Sequence, residues 1–239
     1  MRAIILAGGK GTRLAPYTAV LPKPLMPIGD MPILEVVLRQ LKVAGITRVT
    51  MAVGYLGELL RAFFGDGTRL GLQIDYSLEE KPLGTVGPLT LINDLDDTFL
   101  VMNGDTLTTL DYRALIEHHR QCNASATIST YLRQVKIDFG VIECNAAGFV
   151  AEYIEKPTLD YRVSMGIYVF QPEVLHLLQK GEHRDLPDLI KTLIAAKHAV
   201  AAYAFSGYWL DMGRPDDYAR AIEEFASRRD EFLPGESKA

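Results

Sequence analysis

Residues 1–14 read MRAIILAGGKGTRL, and the fold turns on how that stretch is parsed. Residues 2–6, apolar from Ala3 onward, read as a strand buried on both faces. Gly8, Gly9 and Gly11 then open a turn that ends in Thr12 and Arg13. In an open α/β sheet the turn after the first strand lies at the carboxyl edge, where ligands bind. Glycines there let backbone N–H groups close on phosphate oxygens, and a following cation adds charge. Two familiar phosphate motifs are excluded. GxxxxGK[ST] is absent, and the dinucleotide fingerprint fails because Leu14 stands where its third glycine belongs. Over this stretch alone, a tight turn of some other α/β fold would read the same way.

Working outward, Leu34, Val37, Leu38 and Leu41 keep i, i+3, i+4, i+7 spacing and predict a helix. Residues 48–53, RVTMAV, predict a second strand, and Leu59, Leu60, Phe63 and Phe64 a second helix. Strands are expected over 72–77 and 98–105, with a helical stretch over 86–92 between them. This β-α-β-α order implies a mainly parallel sheet covered on both faces. After Asp105 the pattern changes. A helix is expected over 112–121, followed by strands over 126–132, 139–144 and 163–170 with few helices between them. That half reads as a mixed sheet supplying the second wall of a cleft. Helices are expected from Pro172, over 186–196 and over 215–228, and residues 233–239, LPGESKA, read as a frayed tail.

The chain has 239 residues, 48% of them hydrophobic, which suffices for one full core. The formal charge of −5 and the lack of a Lys/Arg run argue against nucleic-acid binding, so any anion site is built locally. Cys122 and Cys144 form no CxxC pair, so neither a disulfide framework nor a zinc site is expected. Ala3 to Ala7 is too short for a signal-peptide core, and no apolar stretch approaches the roughly 20 residues of a membrane span. The expectation is a soluble cytoplasmic protein that does not enter a membrane.

Residues 21–34, LPKPLMPIGDMPIL, hold Lys23 between Pro22 and Pro24, which stiffens the loop and limits where the ammonium can go. Here the residues carry a resemblance. LAGGKGTRL (6–14) followed by PKPL (22–25) resembles the sugar nucleotidyltransferase family, the nucleoside-diphosphate-sugar pyrophosphorylases, and the likeness extends to about residue 225. It implies a single Rossmann-like α/β domain over residues 1–228, with a mixed, mainly parallel central sheet flanked by helices. Residues of about 1–110 would form the NTP-binding half and about 111–228 the sugar-phosphate half. Residues 229–239 would be a C-terminal tail, with no hexapeptide-repeat domain and a homodimer through the catalytic domain left open.

The implied reaction is attack of a sugar 1-phosphate oxygen on the α-phosphorus of an NTP, with pyrophosphate leaving in line. The triphosphate alone brings about four negative charges, so an acidic chain needs placed cations and a divalent metal. Residues 101–107, VMNGDTL, end an apolar strand at Asp105, and residues 208–218, YWLDMGRPDDY, offer Asp211. Mg²⁺ takes hard oxygen ligands, commonly one or two carboxylates plus substrate phosphates. Asp105 and Asp211 match the family's metal-binding aspartates, while Asp216 and Asp217 are expected to cap the last helix. The resemblance makes Arg13, Lys23 and Asp105 the catalytic set, with Arg13 on the departing phosphates and Lys23 at the reacting centre. It places the nucleotide on Leu6, Ala7, Gly8, Gly9, Gly11, Thr12, Arg13, Glu79 and Gly84. It places the sugar phosphate on Gly140, Glu155, Lys156 and Ser164. A surface ion pair before a proline is the plainer reading of Glu155 and Lys156. Ser164 and Met165 precede Gly166 where many family members carry Asn and a small residue, a departure in the sugar contact.

Residues 76–89, YSLEEKPLGTVGPL, bear on the base. In the family this position reads the base edge, and its Gly-Thr pair lets backbone approach the nucleoside. An ionised carboxylate only accepts, and guanine sets N1–H beside its 2-amino group. Glu79, with Glu80 as second option, therefore favours GTP. Thymidylyl- and some uridylyl-transferring relatives tend to carry Gln there. By resemblance the acceptor is mannose 1-phosphate or a heptose 1-phosphate. Rival readings are uridylyl, thymidylyl or cytidylyl transfer to another sugar 1-phosphate, or a non-catalytic nucleotide-sugar sensor. A third is a phosphocholine-like acceptor caged by Tyr208 and Trp209.

Overall fold

The computed structural model describes residues 1–235. The first half runs β1 (Arg2–Ala7), a short ladder of β2 (Pro27–Ile28) and β3 (Met31–Pro32), α1 (Ile33–Val43), β4 (Arg48–Val53), α2 (Gly57–Phe64), β5 (Gln73–Leu78), β6 (Phe99–Asn103) and β7 (Thr106–Thr108). The second half runs α3 (Tyr112–Gln121), β8 (Ala126–Lys136), β9 (Val141–Cys144), β10 (Val150–Ile154), β11 (Thr158–Phe170), α4 (Leu186–Ala195), β12 (Val200–Phe205), β13 (Trp209–Asp211), α5 (Pro215–Ser227) and α6 (Arg229–Phe232). A seven-stranded sheet in the order β12-β8-β11-β6-β1-β4-β5 organises them. β1 is parallel to both β4 and β6, whereas β11 runs antiparallel to β6 and β8. The expected mixed, mainly parallel sheet is what the chain forms.

The opening strand sits at the sheet's centre because both of its faces are apolar. Ile5 packs with Val37, Leu41, Met51 and Leu60 under the helices of one face. Ile4 packs with Phe99, Val101, Phe170, Leu189 and Leu193 on the other. Alternation of adjacent residues between two cores is the period-2 geometry of a strand. Each large side chain so buried contributes about 1.5–3 kcal/mol. In α2 only Leu60 and Phe64 face this core. Their neighbours Leu59 and Phe63 stay 39% and 44% exposed, since consecutive helical residues are 100° apart.

Several expectations are corrected. Residues 87–91 and 172–177 form 3-10 turns rather than α-helices, each with a proline in its first turn. β11 begins at Thr158, five residues before the expected strand, and β10, β12 and the β7–β13 ladder were not anticipated. Asp216 and Asp217 lie in the first turn of α5, where carboxylates complement the helix dipole. They are not at its cap, which is Arg214. Phe232 and Leu233 are 0% and 3% exposed, packed with Met212 and Phe225. The Gln40 amide donates to Phe232 O at 3.0 Å. The chain is therefore held as far as Leu233, not frayed from it, and residues 236–239 of the expected tail lie outside the described residues. Among the described residues no helix is long and apolar enough to cross a membrane.

One buried titratable group sits in this core away from the cleft. His119 of α3 is fully buried, with Nδ1 2.8 Å from Thr127 Oγ1 and Nε2 3.0 Å from Gln171 Nε2. Gln171 Oε1 accepts from Thr98 Oγ1, so the amide nitrogen faces His119 and donates to Nε2, leaving the ring proton on Nδ1. Burial pushes the imidazole below its ordinary value of 6.5, with Arg120 and His118 acting the same way and Glu173 against. The unfolded chain thus binds a proton that the folded chain refuses. Stability from this site is complete above pH 6.5 and falls as pH drops below it. The melting temperature is expected to fall more between pH 7 and pH 5 in the native chain than in His119→Asn, as read by calorimetry. Parallel curves would contradict this.

Candidate active site

Parallel strands deliver their carboxyl ends to one edge, and the site is built there. Leu6 pairs with Asn103 across β1 and β6. The turns after β1, β4, β5 and β6 therefore converge on a cleft of about 710 Å³. Tyr55 N donates to Gly8 O at 3.3 Å, and Glu79 N donates to Val53 O at 2.9 Å, so each turn is tied to its neighbour.

The glycine turn divides its labour. Gly11 has φ +61°, and its carbonyl accepts from Thr18 Oγ1 at 2.9 Å. Gly9 has no atom within contact of the position a Cβ would take, so its backbone faces open space. A side chain on Gly8 would displace the Glu79 carboxylate, which occupies that place. Glu79 Oε2 accepts from Leu83 N at 3.0 Å, which closes the loop after β5 on itself while Oε1 lies against Gly8. Arg13 extends to the turn after β13, where a Cβ on Gly213 would lie 3.2 Å from Arg13 Nη1.

Lys23 is the electrostatic centre. Its ammonium pairs with Asp105 Oδ2 and lies 3.9 Å from Asp211 Oδ1. The Lys23 side chain is only 11% exposed. β7 follows Asp105 directly and pairs antiparallel with β13, which ends in Asp211. That ladder brings residues more than a hundred positions apart to one point. Burial, and then the charge of Asp105, push the Asp211 carboxyl above its ordinary value, while Lys23 and Arg13 pull the other way. A carboxylate pair set against a single ammonium suits a hard divalent cation. No group of three or more His, Cys, Asp or Glu side chains with metal-site spacing exists among the described residues. Any cation would therefore draw its remaining ligands from elsewhere.

Of the residues expected on the nucleotide, Leu6, Ala7, Gly8, Gly9, Gly11, Arg13, Glu79 and Gly84 line the cleft, together with Lys23 and Asp105. Thr12 is exposed at the start of a 3-10 turn outside that lining. The sugar-side residues are not brought in. β11 pairs with β6 only over 167–170, so its earlier residues overhang the carboxyl edge as an arm. On that arm Glu155 accepts from Tyr153 Oη at 2.9 Å and pairs with Lys156 Nζ at 3.6 Å, each side chain 58% exposed. Lys156 has φ +45°, a left-handed value uncommon outside glycine. The Tyr153 hydroxyl covers Gly140, and Ser164 Oγ is 2.9 Å from Tyr168 Oη.

The Gly84-Thr85 pair also has a packing role that its motif does not show. Gly84 has φ +76°, and a Cβ there would sit 2.5 Å from Arg184 O. The side a Cβ would take is thus filled by the chain itself, while Gly84 and Thr85 both line the cleft. Gly84→Ala is expected to cost about 1–3 kcal/mol of stability through the left-handed backbone and this clash. Urea denaturation checks the value, and an unchanged midpoint would contradict the packing. Missed by sequence reasoning were Lys10, Tyr55, Lys81, Asn103 and His183, all of which line the cleft. Tyr55 is held by its hydroxyl donating to Ala19 O at 2.9 Å. Lys10 was legible in principle, since it lies inside the glycine turn.

Comparison with known proteins identifies the family. The sequence profile described as Nucleotidyl transferase matches residues 2–228. A UTP–glucose-1-phosphate uridylyltransferase of Synechocystis is 36% identical, covering 95% of this chain and 64% of that protein. A mannose-1-phosphate guanylyltransferase of Mycobacterium tuberculosis is 35% identical, covering 91% of this chain and 62% of that protein. The chain therefore spans less than two thirds of the length of these relatives. The crystal structure of HddC from Yersinia pseudotuberculosis superposes with a TM-score of 0.69 at 26% identity, covering 94% of this chain and 99% of that one. With a profile match over nearly its whole length and two such relatives, the chain belongs to the nucleotidyl transferase family, among the sugar nucleotidyltransferases.

Proposed function

We propose that this cleft transfers a nucleoside monophosphate from an NTP, GTP by preference, to mannose 1-phosphate or a heptose 1-phosphate, releasing pyrophosphate. The observation that carries the reading is the placement of Lys23 against Asp105 and near Asp211, at the carboxyl edge beside the glycine turn. A site that only held an anion would gain nothing from facing carboxylates. A site that handles a triphosphate of about four negative charges needs them to hold a cation. Asp105 and Asp211 would hold Mg²⁺, which when bound shields phosphate charge and polarises the α-phosphoryl group.

The chain's own residues do the rest. Backbone N–H groups of Gly8, Gly9 and Gly11 bind phosphate oxygens, and Arg13 neutralises the departing pyrophosphate. Lys23 exchanges its carboxylate partner for an oxygen of the α-phosphoryl group as the triphosphate enters. On the arm that overhangs the same edge, outside the cleft lining, Lys156 would hold the sugar phosphate and Glu155 a sugar hydroxyl. That requires the two to give up their mutual pair and the arm to reach the bound NTP. The sugar phosphate oxygen then attacks the α-phosphorus opposite the leaving pyrophosphate. No enzyme-bound covalent intermediate is needed, so catalysis rests on positioning and electrostatics.

For the base, the Glu79 carboxylate has lone pairs beyond the one given to Leu83 N, and Glu80 is exposed on the same wall. Acceptors alone suit the N1–H and 2-amino group of guanine. Relatives of both uridylyl and guanylyl type match the chain, so the deciding experiment is a matrix. Each NTP is combined with mannose, heptose and glucose 1-phosphates in Mg²⁺, and pyrophosphate is measured. GTP with mannose or heptose 1-phosphate is expected to lead. UTP with glucose 1-phosphate leading would overturn the base and sugar assignments, and no release with any pair would overturn the catalytic reading.

A further inference from the structure

The nucleoside end of the cleft has a second wall supplied by a segment far along the chain. Residues 182–186 lie along the loop at 83–87 and are bonded to it at successive positions. Arg184 N donates to Leu83 O at 2.9 Å, and Arg184 O accepts from Val86 N at 3.0 Å. Asp185 Oδ1 accepts from Thr85 N at 2.9 Å, and Leu186 N donates to Thr85 Oγ1 at 2.7 Å. The two segments therefore behave as one body. His183 is the single residue of 182–186 that lines the cleft, and it is exposed, with no hydrogen-bond partner among the described residues.

We infer that the His183 imidazole donates a hydrogen bond to the acceptor edge of the bound nucleobase and so contributes to selecting guanine. The inference rests on the guanylyl reading above. Glu79 and Glu80 offer acceptors only and take the N1–H and 2-amino side of the base. The other edge of guanine carries two acceptors, O6 and N7, and calls for a donor. Adenine replaces O6 with an amino donor, and uracil has no counterpart of N7. Thr85 Oγ1 on this wall donates to Asp185 Oδ1, which leaves Lys81 and His183 as its side-chain donors among the described residues. Lys81 carries a hydrated ammonium on a flexible stem. His183 carries a planar ring on a segment fixed at both flanks, so less freedom is lost when it bonds.

The test is steady-state kinetics with GTP, UTP and 7-deaza-GTP on the native chain, His183→Ala, His183→Gln and His183→Phe. His183→Ala is expected to raise KM for GTP about fivefold, the scale of one neutral hydrogen bond, with kcat and KM for UTP within about twofold. His183→Gln, which keeps a donor, recovers part of that loss, and His183→Phe does not. 7-deaza-GTP, lacking the N7 acceptor, is a poorer substrate for the native chain but not relative to GTP in His183→Ala. Equal effects on GTP and UTP, no effect on either, or rescue by Phe would overturn the inference while leaving the guanylyl reading intact. A native chain that releases no pyrophosphate from GTP overturns the guanylyl reading itself, and the inference with it.

Discussion

Asp105→Asn is expected to lower kcat/KM for pyrophosphate release by roughly 10²- to 10⁴-fold, several kcal/mol of transition-state stabilisation. The carboxamide keeps the shape of the side chain but loses the charge that faces Lys23 and would hold the metal. Lys23 is not orphaned by the change, because Asp211 Oδ1 already lies 3.9 Å away. The fold should therefore survive, with a melting temperature close to native, while activity collapses. The Mg²⁺ concentration for half-maximal rate should rise in the residual activity. Near-normal turnover would show that Asp105 is a strand-end residue paired with lysine for structure alone.

Lys23→Ala is the complementary change, expected to reduce kcat by about 10²- to 10³-fold, the scale of losing one preorganised cation at a developing phosphoryl charge. Its signature differs from that of the aspartate. Removing the ammonium leaves Asp105 and Asp211 facing each other without their shared counter-charge. Asp211, already pushed up by burial and by Asp105, then titrates higher still. Mg²⁺ no longer competes with an internal cation, so its half-saturating concentration should fall or hold while kcat drops. Titrating Mg²⁺ against rate in both variants separates the two roles. A Lys23→Ala variant with native kcat and reduced stability would make the lysine a structural counter-ion.

What the sequence disclosed follows from how local each signal is. Ala3 to Ile5 and the Leu34–Leu41 spacing were readable because burial on both sides of a strand, or along one helix stripe, is written in consecutive residues. The glycine turn and Lys23 were readable because backbone approach and proline stiffening are local properties. The β9–β10 arm was only half legible. Phe139, Ile142, Phe149 and Tyr153 are all more than half exposed, so burial imposes no alternation to find. The β7–β13 ladder is three residues long on each side and joins segments about a hundred positions apart. The motif likeness, not periodicity, paired Asp105 with Asp211. Gly84 was matched to the cleft by its motif and does line it. Its left-handed φ and its packing against Arg184 O were not legible, because Arg184 lies a hundred positions away. His183 had no signal, because an exposed histidine in a polar turn looks the same whether or not a distant loop turns it toward a ligand.

The central claim is that the triphosphate is cleaved between its α and β phosphates and that the α-phosphoryl group stays with the sugar phosphate. Position-specific labelling tests it most directly. With mannose or heptose 1-phosphate and Mg²⁺, label from [α-³²P]GTP is expected in a nucleotide sugar, and label from [γ-³²P]GTP in pyrophosphate. Label from the γ position in the sugar product, or released as inorganic phosphate with none transferred from the α position, would contradict the account.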